Sequence, residues 1–440
     1  MSEQQFRELV GNAILGIDTL WGGDVMCPSG TGRFIADSWF SDEPLPPAYI
    51  HPAAERLRAS GGVSAAQPDV AAIDAYLAAV DVRGSIAGLA EEARRAPGLR
   101  GRYLAGLAEC FEVMWDLVME LLGRGEPVSY LRAVRASTGA DPSPSDSRAR
   151  RERVAELVAA AGYAPDAVDA WRRDRLVPMA SVASLSGYLI AYLDALSGQN
   201  LLPHLPPELR SVPRANIDFL PIKEAWFSGS MNYLGRARHP DGTPVYEASY
   251  EINASLQISL PEFAQLVSHE VVPGHVTTFA YLQNLYVLEK AGFEASVLTM
   301  NTRAATLFEG IANNAIQIAY GVTEPEELPD RDLEIGVLLA LLQDDAKNQA
   351  SWLTWNERLP QPEVAHILRR DFLVSEERAG KLSGAWGRHP LLGRMYLPAY
   401  RAGTERVAEL RRRYTAERLL PVLYGCSGLV DVTTIEDALV

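Results

Sequence analysis

Apolar residues recur at three- and four-residue spacing along most of the chain, which is the pattern of amphipathic helices. The runs with this spacing are Tyr103–Leu122, Val154–Ala161, Val182–Leu196, Phe263–Leu288, Ala295–Tyr320 and Leu333–Trp355. Residues Val245–Asn253 depart from it, because they follow a turn signal at His239–Gly242 and are rich in aromatic and β-branched side chains. That combination predicts a strand. We therefore expect a mainly α fold, a large helical body with a deep cleft and a small antiparallel β element.

A break in the helical pattern lies at Gln199–Pro213, where four prolines interrupt the chain. Proline ends helices because it lacks an N–H group and crowds the preceding turn. We expect an N-terminal helical region over residues 1–205 and a second helical region over 206–440, packed together as one body.

Composition and net charge argue against several classes of function. The 440 residues include 41 basic and 56 acidic side chains, a net charge of −15, and such an acidic chain is a poor ligand for nucleic acid. No apolar run reaches the roughly 18–20 residues that cross a membrane, and the N-terminus lacks a signal-peptide pattern, so a cytoplasmic protein is expected. Three distant cysteines, Cys27, Cys110 and Cys426, predict neither a disulfide framework nor a thiolate metal site.

The candidate chemistry begins with a helix near residue 260. Ser259 and Glu262 match a capping box, and the apolar stripe that follows leads to Glu270. A carboxylate on an apolar stripe is costly unless it is paired or bound. Together with His269 and His275 it resembles the HExxH helix of zinc hydrolases, in which two imidazoles bind the metal and the glutamate acts as the general base.

The spacing of the two histidines differs from HExxH. His275 follows His269 by six positions, which places the two side chains about 120° apart on a regular helix. Pro273 cannot donate to the carbonyl of His269, and Gly274 accepts unusual backbone angles. The Pro-Gly pair therefore predicts a broken or widened helix that turns both imidazoles toward one ion.

A second carboxylate completes the set. Glu309 lies among apolar residues of a later helical run, as does the third ligand of zinc hydrolases that use a glutamate. Two histidines and one glutamate leave an open fourth position, which is typical of a catalytic zinc site. Asn313, one turn further on, is a candidate hydrogen-bond partner of a ligand.

The strings His269–His275 (HEVVPGH), Phe308–Ala315 (FEGIANNA) and Tyr396–Gly403 (YLPAYRAG) resemble the bacterial domain-of-unknown-function family 885. The resemblance covers roughly residues 216–413. That family is similar in fold to the Taq-type metallocarboxypeptidases and other gluzincin-like zinc hydrolases, mostly helical with a β element beside the metal. It implies one Zn²⁺ per chain, held by His269, His275 and Glu309, with Glu270 as the base.

The resemblance also implies a donor for the oxyanion of the tetrahedral intermediate. Tyr400 holds the position of the family's late tyrosine, and Tyr396 and His389 are the alternatives. The residues proposed for substrate binding are Arg394 and Arg401, which could grip a carboxylate, and Tyr250, whose strand could align an extended peptide.

The function expected is hydrolysis of an amide or peptide bond in a small peptide or amide substrate. A carboxypeptidase-like activity is one form that this function could take. Two other hypotheses stay open. One is a metal enzyme that acts on a small biosynthetic metabolite. The other is a metal-poor binding protein that keeps the cleft, because Val276 stands where family members usually carry a further histidine.

Overall fold

The computed structural model describes residues 1–27, 34–222, 229–253, 257–425 and 429–439. The fold is mainly α, as predicted, with 64% helix and 7% strand. The helices are α1 (Glu3–Trp21), α2 (Pro47–Ile50), α3 (Pro52–Ser60), α4 (Val70–Ala79), α5 (Val82–Arg95), α6 (Gly98–Leu121), α7 (Tyr130–Thr138), α8 (Arg148–Ala160), α9 (Val168–Arg173), α10 (Val182–Asn200), α11 (Leu260–Glu270), α12 (His275–Val287), α13 (Arg303–Asn313), α14 (Ala315–Tyr320), α15 (Arg331–Ser351), α16 (Gln361–Phe372), α17 (Glu376–Ser383), α18 (Leu397–Arg413) and α19 (Ala416–Gly425).

The strands form two small sheets. They are β1 (Ala36–Trp39), β2 (Ile217–Ile222), β3 (Gly229–Tyr233), β4 (Ala248–Asn253) and β5 (Val297–Thr299). Strand β4 confirms the strand predicted from the sequence and lies between β3, its antiparallel partner, and β2, which runs parallel to it. Strands β1 and β5 pair antiparallel. The β element is therefore small, as expected, but the β4 sheet is mixed because β2 joins it in parallel.

The helix predicted over Ala295–Tyr320 is wrong in its first turns. Residues Val297–Thr299 form β5 instead, and the helix begins at Arg303. The reason is local, because the Thr302 hydroxyl accepts the N–H of Ala305 and caps α13, while Asn301 has a φ of 60°. Neither conformation continues a helix.

The expectation that no segment is long and apolar enough to cross a membrane is also wrong. Met179–Asn200, which contains α10, passes that test by length and composition, with a mean hydropathy of 1.3 and 22% of the window buried. Serine and glycine residues interrupt the segment, so it contains no long uninterrupted apolar run. Its mean hydropathy is still high because Asp194 is its one charged residue.

The largest apolar core includes side chains from both parts of the sequence, from Phe6 in α1 to Leu439 near the C-terminus. Phe111 of α6 and Phe263 of α11 are fully buried in it. The core thus spans the proline-rich break near residue 205, and the division of the chain at that point stays a prediction.

Two cavities of about 490 and 510 Å³ are found among the described residues. The first lies between α7 and α18, and the second between α5 and α6. Neither is lined by the residues predicted to bind the metal, so a deep cleft at that site remains a prediction.

Candidate metal centre

The helix that carries His269 ends where the sequence predicts a break. Helix α11 stops at Glu270 and α12 begins at His275. Gly274 makes the junction possible, because a Cβ atom added there would lie 1.8 Å from the carbonyl oxygen of His269. No residue with a side chain fits this approach without a change in the backbone.

The break brings the two imidazole rings together in an edge-to-face arrangement. The ring centroids of His269 and His275 are 4.7 Å apart, and the planes are inclined by 89°. One imidazole comes from the last turn of α11 and the other from the first residue of α12, so their orientation is fixed by the junction. His275 also stacks on Phe279 one turn later.

Glu309 of α13 closes the group. Its Oε2 atom lies 3.6 Å from Nε2 of His269 and 3.7 Å from Nε2 of His275. This oxygen is buried and has no hydrogen-bond partner among the described residues. Two atoms bound to one tetrahedral zinc at about 2.0–2.1 Å lie about 3.3 Å apart. The two separations from Oε2 are close to this value and are compatible with one shared ion, and buried polar atoms of this kind need a partner.

Glu270 is the other carboxylate at the centre. One oxygen and the two imidazoles lie within 4.8 Å of one another, so Glu270 with the histidines is an alternative ligand set. Its Oε1 is 4.0 Å from Nε2 of His269, farther than Glu309 is. The Glu270 side chain is also more exposed, at 18% against 7%. Glu309 therefore lies closer to His269 and is the more buried carboxylate, while Glu270 lies at the solvent side.

Asn313 fixes the ring of His269. Its Oδ1 lies 2.8 Å from Nδ1 of the imidazole, and its Nδ2 donates to the Thr404 hydroxyl at 2.8 Å. Since the amide oxygen accepts, Nδ1 carries the proton and Nε2 keeps its lone pair for a metal. Thr404 in turn donates to the carbonyl of Tyr400. This is the role suggested for Asn313 by its position one turn after Glu309.

Two tyrosines form a chain of hydrogen bonds that ends at the other oxygen of Glu309. Tyr396 donates to Oε1 at 2.9 Å, and Tyr400 donates to the Tyr396 hydroxyl at 2.8 Å. Burial, with the charge of Glu309 next, raises the pKa of both phenols, so both stay protonated. The sequence singled out Tyr400, whereas the direct contact belongs to Tyr396. Their spacing of four on one helical face was the signal for the pair.

The tyrosines reach Glu309 because α13 and α18 cross at two glycines. A Cβ on Gly310 would lie 2.3 Å from the carbonyl oxygen of Gly403, and one on Gly403 would lie 1.9 Å from that of Thr306. Close packing at Gly403 was expected from the sequence. Its partner Gly310 directly follows Glu309, so the contact sets the distance between the carboxylate and α18.

Charge and burial shift the titration of all four groups. Burial raises the pKa of Glu270 to about 7 and lowers that of His269 to about 3. Burial opposes ionisation of Glu309, but His275, followed by His269, lowers its pKa to about 2. For His275, burial is outweighed by Glu309, and the pKa is raised. Glu309 is thus an anion, the charge state that a metal ligand needs, whereas the raised pKa favours the protonated form of His275, which must lose its proton before it can bind a metal.

The residues proposed for substrate binding divide into two groups. Tyr250 of β4 is buried, and burial, with the charge of Glu270 next, raises the pKa of its phenol. The guanidinium of Arg394 is instead held by Glu120 and the carbonyl of Val128. Donors of Arg394 are thus engaged within the protein, and a role of this residue in substrate binding stays a prediction.

Arg401 and His389 also have other partners. Arg401 pairs with Glu405 at 2.9 Å and donates to the carbonyl of Pro144. His389 packs between Trp21 and Phe34, and burial lowers its pKa to about 4. These contacts are all with residues other than His269, His275 and Glu309, and the roles proposed for Arg401 and His389 stay predictions.

No family model and no curated protein matches the chain. Among solved structures, a "putative lipoprotein" from Colwellia psychrerythraea is similar, with a TM-score of 0.55 and 15% identity over 81% of this chain and 66% of that one. A putative lipoprotein of unknown function from Shewanella oneidensis has a TM-score of 0.49 and 14% identity, over 90% of this chain and 79% of that one. The chain thus spans slightly less than two thirds of the Colwellia protein, and that likeness concerns the fold alone.

Proposed function

We propose that the chain is a zinc-dependent hydrolase of an amide or peptide bond, with one zinc ion bound by His269, His275 and Glu309. The observation that carries the proposal is the buried Oε2 of Glu309, which faces both Nε2 atoms and has no other partner among the described residues. A buried carboxylate oxygen in this position is satisfied by a cation.

The chemistry follows from where the other side chains lie. When bound, zinc polarises a carbonyl group and lowers the pKa of a coordinated water toward 7. Glu270, partly exposed and within 4.8 Å of both imidazoles, is placed to take a proton from water and return it to the leaving amine. Tyr400 is the proposed donor to the oxyanion, and Tyr396 holds the Glu309 carboxylate in orientation.

Val276 does not weaken the proposal. Its side chain is fully buried in the apolar core, and the three ligand atoms meet without any contribution from that position. The departure from the usual family motif therefore changes the core beside the centre rather than the donor set.

The test is the metal content of the purified protein. Mass spectrometry of the wild type should find about one zinc per chain, and His269→Ala and Glu309→Ala should each lose most of it. His366→Ala, which changes a histidine of α16 outside the centre, is the matched control and should keep the metal. Equal zinc in the wild type and the His269 variant would contradict the ligand assignment.

A further inference from the structure

Thr404 lies at a junction of hydrogen bonds behind the metal centre. It belongs to α18, directly after Gly403, and is 5% exposed. Its hydroxyl accepts a hydrogen bond from Nδ2 of Asn313 at 2.8 Å, and Oδ1 of the same amide lies 2.8 Å from Nδ1 of His269. The hydroxyl is therefore two hydrogen bonds away from a proposed metal ligand.

The other neighbours of this hydroxyl are hydrogen-bond acceptors. The carbonyl oxygen of Tyr400 lies 2.7 Å from Oγ1 of Thr404, and Oδ2 of Asp344 lies 3.4 Å from it. A carbonyl has no proton to give, and neither has an ionised carboxylate. Since a hydroxyl has a single proton, Thr404 donates it to this side and presents a lone pair to Asn313.

Lys347 of α15 holds the acceptor side in place. Its ammonium lies 3.0 Å from Oδ1 of Asp344 and 3.1 Å from the centroid of the Tyr400 ring. The two side chains of this ion pair are 13% and 7% exposed. Burial raises the pKa of the Asp344 carboxyl, whereas the charge of Lys347 opposes the shift and favours the ionised form, which can only accept.

These contacts give the chain of hydrogen bonds one direction. An asparagine can present either its oxygen or its nitrogen to an imidazole, and a neutral imidazole can carry its proton on either nitrogen. If the amide of Asn313 were turned over, its oxygen would need the proton of Thr404, and the Tyr400 carbonyl would lose its donor. The hydroxyl thus favours the orientation in which the amide oxygen faces His269, and that oxygen requires a proton on Nδ1.

We propose that Thr404 is a positioning residue that determines which nitrogen of His269 carries the proton, so that Nε2 stays free to bind a metal. The proposal rests on the proposed function for the role of His269 as a ligand. It adds a residue that contacts neither metal nor substrate. Without the hydroxyl, the Asn313 amide can turn over and donate to Nδ1, and the proton then occupies Nε2, where it blocks metal binding.

The test locates the proton in the metal-free protein. The full chain is labelled with ¹⁵N-histidine and treated with a chelator, and long-range ¹H–¹⁵N correlation spectra distinguish a protonated ring nitrogen from a bare one. The chain has seven histidines, and the signals that disappear in His269→Gln identify those of His269. At neutral pH the wild type should carry the proton on Nδ1 and have a bare Nε2.

Three variants assign this preference to the hydroxyl. Thr404→Val keeps the shape of the side chain without its hydroxyl, so a signal from protonated Nε2 should appear and zinc affinity should fall about 10–100-fold. Thr404→Ser returns the hydroxyl and should restore both. Thr138→Val is the matched control, because it removes a buried hydroxyl that donates to the carbonyl of Val134 one turn earlier in α7, and it should change neither. Thermal melting checks the folding of each variant, and Thr404→Ala replaces the valine variant if that one is unstable.

Each outcome bears on the proposal. A proton on Nε2 in the wild type would overturn it, and so would a spectrum of Thr404→Val that matches the wild type. A change that Thr404→Ser fails to reverse would also overturn it, since packing rather than the hydroxyl would then be the cause. Zinc uptake is measured on the same samples. A Thr404-dependent proton position without zinc uptake would contradict the proposed function alone, and zinc uptake with a proton position independent of Thr404 would contradict this inference alone.

Discussion

Glu270 combines two properties that rarely occur together in one carboxylate. Burial raises its pKa to about 7, yet part of its side chain stays open to solvent. A general base works best when its pKa lies near the working pH, because it is then both available and strong enough to take a proton. The environment of Glu270 thus suits proton transfer, while that of Glu309 suits a permanent anion.

Glu270→Gln should keep the metal and lose activity. Glutamine has the same shape but takes up no proton, and positioned proton transfer is worth roughly 10²–10⁴ in rate. We expect zinc content near that of the wild type and kcat lower by that factor on any substrate that is turned over. Glu289→Gln, an exposed change after α12, is the control and should alter neither. Near-normal turnover of the glutamine variant would remove Glu270 from the mechanism.

The two tyrosines should separate into different roles. Tyr400→Phe removes the proposed oxyanion donor, so kcat should fall about 10²–10³-fold with little change in KM or zinc content. Tyr396→Phe removes the hydrogen bond to Oε1 of Glu309, so zinc affinity should fall about 10–100-fold. Competition with a chromogenic chelator measures the affinity. The reverse assignment would follow if Tyr396→Phe lost rate alone and Tyr400→Phe lost zinc.

For single residues, the sequence predicts the features that depend on spacing within a short segment. His269, Glu270 and His275 lie within one motif, and Glu309 stands out as a charge in apolar company. The contact between the Tyr396 hydroxyl and Glu309 gives no such signal, because it joins residues that lie 87 positions apart in the chain.

At the scale of elements, the site depends on how closely α13 and α18 approach. The contact between Gly310 and Gly403 leaves no space for a methyl group on either helix. Glu309 precedes the first glycine, and Tyr400 lies one turn before the second. The position of the carboxylate relative to both phenols is therefore fixed by direct contact between the backbones of α13 and α18 at these glycines.

Gly403→Ala should push the two helices apart. The added methyl group would lie 1.9 Å from a carbonyl oxygen, and overpacking of this kind costs about 1–3 kcal/mol. We expect a lower free energy of unfolding in urea together with weaker zinc binding. Gly380→Ala is the control, since its Cβ would meet nothing within 4 Å, and it should stabilise by up to about 1 kcal/mol through helix propensity. Equal effects of the two variants would contradict the role of the crossing.

The elements themselves were predictable to different degrees. The break between α11 and α12 follows from Pro273, because its effect on a helix is local. Strand β5 was hidden within a helical pattern, since its pairing with β1 joins segments more than 250 residues apart. The parallel pairing of β2 with β4 was missed for the same reason. Long-range pairing has no signature in a short window of sequence.

For the whole molecule, the three proposed ligands lie in helices that are separate in the chain. His269 ends α11, His275 begins α12 and Glu309 lies in α13. A ligand that binds only the folded state stabilises it by mass action, about 2.7 kcal/mol at a hundred times its Kd. Metal binding and global stability should therefore be coupled.

Removal of zinc with a chelator should lower the Tm of the wild type, and added zinc should restore it. His269→Ala should melt near the temperature of the chelated wild type, and the chelator should not change its Tm. Differential scanning calorimetry at one protein concentration measures both. If the chelator lowered the Tm of the variant by as much as that of the wild type, the effect would come from a different site.

The glycine crossing also offers a way to judge other chains that carry the same motif. A buried carboxylate such as that of Glu309 is still tolerated without a metal if it takes up a proton or pairs with an imidazole. A glycine is required only while the two backbones stay in contact, because an added Cβ has room once the helices separate. In a decayed copy, we expect the positions of Gly274, Gly310 and Gly403 to acquire side chains, and their state would then reveal loss of the centre even where all of the metal ligands persist.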